Sequence, residues 1–170
     1  MTRFVRMIAG LALILMMGGC ATGQPRGYVN VSAWSTNYTE DYIYDFSIRT
    51  ADGKRTGIGG VQVNEFSKGG TGGRECCALI PGVGQTIKVI WRVGGYREDE
   101  SQWKTYSHDV VVTGAMPKKK DAYNILMVRF FKERQVEAEL IPDRGEAGEL
   151  ASPRVDKLFS GQRVMRQKGE

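Results

Sequence analysis

From Tyr28 to Ile141 the chain repeatedly alternates apolar and polar residues, and any fold it adopts must bury one side of that pattern. Tyr28 to Trp34 sets Val29, Val31 and Ala33 on one face and Asn30 and Ser32 on the other. Asp41 to Thr50 lines up Tyr42, Tyr44, Phe46 and Ile48. Thr86 to Val93 lines up Ile87, Val89, Trp91 and Val93, with Lys88 and Arg92 opposite. Gly59 to Asn64, Gln102 to Val112, Asn124 to Phe131 and Gln135 to Ile141 complete the set. Turn dipeptides such as Asp52-Gly53 and Gly94-Gly95 punctuate it, and no window before residue 142 carries a helical stripe. The pattern predicts an all-β domain over 28–141, an antiparallel β-sandwich of about seven strands.

The flanks read differently. Arg3 and Arg6 precede an uncharged run from Met7 to Met17, then Gly18, Gly19 and Cys20. Basic, then apolar, then small residues describe a secretory leader over 1–19. A membrane span needs about 20 apolar residues, more than this run supplies. The placement of Cys20 resembles the lipobox of bacterial lipoproteins, with Met17 in place of the usual Leu. The resemblance implies a lipidated Cys20, a tether over 20–27 and a membrane partner reached through that lipid. Ala21, where an Asp would suggest inner-membrane retention, points to the outer membrane and its periplasmic face.

At the other end, residues 142–151 are rich in Glu, Gly and Pro. Ser152 and Pro153 fit the start of a short helix, with Val155, Leu158 and Phe159 on one face and Gly161 at its end. The tail over 142–170 either docks on the sandwich as a short helix or orders only on a partner.

The net charge of +5 includes Arg3 and Arg6, which leave with the leader, and the charges that remain are interspersed. That balance does not argue for nucleic acid. The only histidine, His108, neighbours Asp109 in an alternating stretch, where neighbours face opposite ways. With one His and adjacent Cys76 and Cys77, the chain offers no zinc spacing, no nucleophile elbow and no reason to expect a cofactor or small-molecule substrate. An oxidising compartment permits a Cys76–Cys77 disulfide. Strand alternation instead favours separate thiols on opposite faces, or an intermolecular role.

Two loops stand out as binding candidates. Lys68-Gly69-Gly70-Thr71-Gly72-Gly73-Arg74 is followed by a strand-like run, so it is not a phosphate loop. It is either a tight turn or a loop that lets backbone approach a partner, with Gly72, Arg74 and Glu75 as contacts. Glu98, Asp99 and Glu100 beside Trp103 read as a solvated turn or as a surface for a basic partner. Lys118 to Lys120 reads as a turn, or as a contact with anionic lipid.

Several pieces recur in order: Asn37-Tyr38-Thr39, Ile43 to Ile48, the Gly69–Gly73 cluster, Cys76-Cys77, Pro81-Gly82, Ile87 to Trp91 and Trp103, then a late strand pair. This order resembles a family of bacterial lipoproteins built on a domain of unknown function. Its members are similar to immunity lipoproteins that act against type VI secretion phospholipases. The resemblance implies a protein that captures a cognate lipase effector in the periplasm and blocks it, and is not itself an enzyme. The alternative expectation is a structural or accessory lipoprotein of the envelope or secretion system, without inhibitory activity.

Overall fold

Among the described residues there are nine strands: β1 (Tyr28–Asn37), β2 (Ile43–Thr50), β3 (Arg55–Val63), β4 (Glu75–Pro81), β5 (Thr86–Val93), β6 (Lys104–Val111), β7 (Thr113–Gly114), β8 (Asn124–Phe130) and β9 (Val136–Pro142). The structure is a computed structural model that describes residues 27–95, 97–118, 123–142 and 155–170. The leader, Cys20, most of the tether, Lys119, Lys120, Ser152 and Pro153 lie outside the described residues. Among the described residues no helix is long and apolar enough to cross a membrane.

The strands form two packed sheets, ordered β4-β1-β8-β9-β7 and β3-β2-β5-β6. The sandwich expected from the alternation is what the chain forms. Its inner faces meet through Val31 and Ala33 of β1, Phe46 and Ile48 of β2, Val89 and Trp91 of β5, and Leu126 and Val128 of β8. Most pairs are antiparallel, but β1 runs parallel to β8 and β7 parallel to β9. Alternation reports which face a residue takes and says nothing of strand direction. Two strands go beyond the seven. β4 is an edge strand with few buried residues, and β7 forms where the chain leaves β6 and crosses to the other sheet.

β8 departs from the half-buried pattern. All seven of its residues are buried. Leu126, Val128 and Phe130 face the other sheet, while Ile125 and Met127 join Trp34 and Ile141 in a second cluster on the outer face. The C-terminal segment 155–170 covers that face, packing Val155 and Phe159 against the cluster. Leu158 fills a third cluster with Tyr38 and Phe131. The helical expectation shrinks to a single 3₁₀ turn, Lys157–Ser160, ended by Gly161 at φ 78°. That left-handed position favours glycine, as the sequence anticipated.

A buried charge cluster fastens this strap. Arg129 of β8 is 1% exposed. Its Nη1 donates to Glu139 Oε2 at 2.7 Å, and its Nε to both Asp156 oxygens at 2.8 and 2.9 Å. Thr36 Oγ1 donates to Asp156 at 2.7 Å, and Arg166 Nη1 adds a bond at 3.1 Å. Burial disfavours the guanidinium charge, but the pull of Asp156 and the Glu139 bond outweigh it, so the Arg129 pKa is raised. Burial, and then the Asp156 charge, push the Tyr38 hydroxyl well above its ordinary value.

Asp156→Ala removes one counter-charge from a dry site and should destabilise the fold by about 3–5 kcal/mol. Urea unfolding checks this; a loss below about 1 kcal/mol, the scale of an exposed pair, would show that the cluster is solvated.

Candidate functional site

The strand registers place four connections at one end of the sandwich. Asn37 of β1 pairs with Phe130 of β8, Ile43 of β2 with both Val63 and Val93, and Val93 with Lys104. The β1–β2, β3–β4, β5–β6 and β8–β9 loops therefore gather together. β1 begins at the opposite end, where Tyr28 pairs with Pro81.

The glycine cluster belongs to this loop end but is not free. Gly69, at φ 113°, caps the Phe66–Lys68 turn. Asn37 N donates to Gly70 O at 2.8 Å, Gly72 N to Ser35 O at 3.3 Å and Gly73 N to Val61 O at 2.9 Å. The segment thus lies along β1 and ties it to β3, closing one side of the sandwich. A Cβ on Gly72 would sit 2.5 Å from Ser35 Oγ and 2.7 Å from Val63 Cγ2, so glycine is required for packing. Gly72 acts as a spacer between strands. Arg74, just beyond, is exposed and stacks its guanidinium 3.7 Å from the Trp34 ring centroid and 5.4 Å from that of Phe159. Glu75, also exposed, opens β4 opposite Ala33.

Cys76 and Cys77 form a disulfide, which corrects the expectation of separate thiols on opposite faces. The physical reason is a break in the ladder. Val31 pairs with Ala78 and Ala33 with Glu75, so β4 carries an extra residue across from Ser32. A bulge on an edge strand interrupts the alternation on which that expectation rested. Cys77 Sγ lies 3.5 Å from Ser32 Oγ, and both cysteines are exposed.

The acidic stretch is committed to its own hairpin. Glu98 accepts from Gly95 N at 2.8 Å, and Asp99 caps the Glu100–Gln102 turn by accepting from Ser101 N at 2.9 Å. Those Ser101 bonds hold the Asp99 carboxyl below its ordinary pKa. Glu100 pairs with Arg92 at 2.5 Å, and Arg92 also binds Asp45 through Nε at 2.8 Å and Nη2 at 2.5 Å. The Asp45 bonds lead in raising the Arg92 pKa. Trp103 lies over this cluster, 4.0 Å from the Tyr44 centroid and with Arg92 5.1 Å from its own. Gly94 makes room for the indole, since a Cβ there would sit 2.1 Å from Trp103 Cδ1. The solvated-turn reading describes how these carboxylates are held, and all three stay exposed at the tip.

The two candidate groups share an end of the molecule but not a face. Arg74 stacks on the outside of the five-stranded sheet, and Arg92 on the outside of the four-stranded one. A third group was not singled out in the sequence. In the β8–β9 turn, Glu133 and Arg134 both hold positive φ, 56° and 60°. That pair suits Asn-Gly better than two long side chains, at about 1–2 kcal/mol per residue. Arg134 stacks 4.0 Å from the Tyr106 centroid, beside a cleft of about 410 Å³ floored by Ile43, Trp91 and Phe130. In the sequence, Phe130 to Gln135 reads only as a tight turn joining the last two strands as a hairpin, with no glycine or asparagine in it. His108 lies exposed on β6 opposite Val89, and its neighbour Asp109 pairs with Lys88 at 3.1 Å.

A family of proteins of unknown function, DUF3304, matches residues 36–138. The match covers more than half of the chain, and the chain belongs to that family. It includes all four connections at the loop end and stops short of the C-terminal strap. No curated protein and no solved structure matches the chain.

Two outcomes follow from this geometry. Gly94→Ala should displace Trp103 from Tyr44, lowering stability by about 1–3 kcal/mol and weakening the near-ultraviolet aromatic dichroism; an unchanged spectrum would contradict the stack. Alkylation of the protein purified under oxidising conditions should modify Cys76 and Cys77 only after reduction, read by intact mass; modification without reductant would contradict the bond.

Proposed function

We propose that this DUF3304 protein is an exported lipoprotein, anchored through Cys20 at the periplasmic face of the outer membrane, that captures and inhibits a secreted phospholipase as an immunity protein. The observation that carries the binding half of this reading is the set of arginines held over aromatic rings near the loop end: Arg74 on Trp34, Arg92 beside Tyr44 and Trp103, and Arg134 on Tyr106. Arginine, tryptophan and tyrosine dominate binding energy at protein interfaces. Side chains already fixed in place lose less freedom on association.

The choice of partner rests on the sequence resemblance to lipase-neutralising lipoproteins. Anchoring is consistent with it, because a tethered inhibitor sits at high effective concentration where a phospholipase must work. Contacts would come from Arg74 and Glu75 on one side and from Glu98, Asp99, Glu100 and Trp103 on the other. Gly72 contributes by setting the position of Arg74.

The test is capture from native envelope extract with the domain from Ala21 onward, read by mass spectrometry. A single stoichiometric lipase, inhibited on binding, is the expected result. Recovery of secretion or envelope components alone would favour a structural lipoprotein. Glu98→Lys with Asp99→Lys should then weaken capture by about tenfold or more. The unfolding midpoint serves as control, because both carboxylates also hold the turn. Unchanged affinity would remove this loop from the interface.

A further inference from the structure

We infer that the end of the sandwich where the tether enters is a seating face for the lipid bilayer, so that the domain stands on the membrane with its loop end pointing away. The inference rests on the lipid-anchor reading proposed above.

Three observations carry it. The first is reach. From Cys20 to Gly27 the tether spans at most about 25 Å when fully extended, at about 3.3–3.6 Å per residue. The chain enters β1 at Tyr28, so this end is held close to the headgroups.

The second is what the end exposes. Met116 and Tyr123 are 42% and 47% exposed. They belong to one structural end. Val83 N lies 3.4 Å from the Met116 sulfur, Gly82 N donates to Gly27 O at 2.8 Å, and Asn124, next to Tyr123, donates to Asn30 O at 3.0 Å. Tyrosine is enriched where proteins meet the bilayer interface, with its ring toward the acyl boundary and its hydroxyl in water.

The third is charge. Lys54, Arg55 and Lys118 are exposed, and the β2–β3 hairpin that carries Lys54 and Arg55 lies at this end, since Thr50 pairs with Ile87 at the start of β5, away from the Ile43–Val93 pair of the loop end. Asp52 is the acidic counterpart in that hairpin, paired with Lys54 at 3.1 Å. The remaining excess is positive, and each cation near an anionic leaflet strengthens association about fivefold. Cations around exposed Tyr and Met suit an anionic bilayer surface.

The consequence is a directional molecule. Seating this end would present the Arg74, Arg92 and Arg134 stacks to the periplasm, within reach of a soluble enzyme approaching the same membrane.

The experiment uses the full lipidated chain, reconstituted into vesicles of phosphatidylethanolamine and phosphatidylglycerol. Single spin labels are placed through Tyr123→Cys at the seating end and Lys132→Cys at the loop end, with intact mass confirming that Cys76 and Cys77 remain paired. The label at position 123 should collide mainly with lipid-soluble oxygen, and the label at 132 mainly with a water-soluble nickel chelate. Lys54→Glu with Lys118→Glu should shift the label at 123 toward water on these vesicles and have no effect on purely zwitterionic ones. Vesicle-bound protein with position 123 as wet as position 132 would overturn the seating face and leave the anchor standing. Protein that does not float with the vesicles would overturn both.

Discussion

The ion pair between Arg129 and Asp156 decides the shape of this molecule. A guanidinium on a strand buried on both faces is costly, and the Asp156 and Glu139 carboxylates compensate it, while Thr36 and Arg166 donate to the remaining capacity of Asp156. Asp156 fixes the segment over Trp34, Met127 and Ile141, where Val155 and Phe159 add apolar contact. Without that segment the five-stranded sheet would present an apolar face to water. The charge cluster and the apolar cover depend on each other, and together they turn two layers into three.

This interdependence explains what was legible in the sequence. The inward positions of β2 and β5 were readable from the period of two through Phe46, Ile48, Ile87, Val89 and Trp91, although a register shift between Ile43 and Asp45 turns Tyr44 outward, against its expected face. The run Ile125 to Phe131 was harder to read. A strand covered on both faces loses its alternation, and Arg129 within it looks like an outward residue. Its partner, Asp156, lies 27 positions away behind a segment rich in Glu, Gly and Pro. Nothing local marks that aspartate as different from its surface neighbours. The parallel pairing of β1 with β8 was hidden for another reason, since periodicity carries no direction. The Cys76–Cys77 bond was one of the readings left open, and separate thiols were favoured over it because alternation cannot show the bulge against Ser32 that replaces the regular ladder there.

The candidate site shows the same limits. Its residue types were visible, but their partners were not. Glu98, Asp99 and Glu100 read as a solvated turn or a contact surface, and the structure adds what the sequence did not show, that each holds part of its own hairpin. The glycines read as a loop, yet they allow one strand to lie against another. What emerges is a repeated unit of arginine over an aromatic ring, distributed around one end of a rigid scaffold. Such an end suits contact with a protein surface, because its side chains are ordered before a partner arrives.

Whether segment 155–170 folds as part of the sandwich is open to direct measurement by native-state hydrogen exchange. The Phe159 and Gly161 amides, which donate to Asp156 O and Leu158 O at 3.0 Å, should exchange with protection approaching that of the β8 amides. Exchange of the whole segment at unfolded-chain rates, with β8 still protected, would contradict the strap and the role assigned to Arg129.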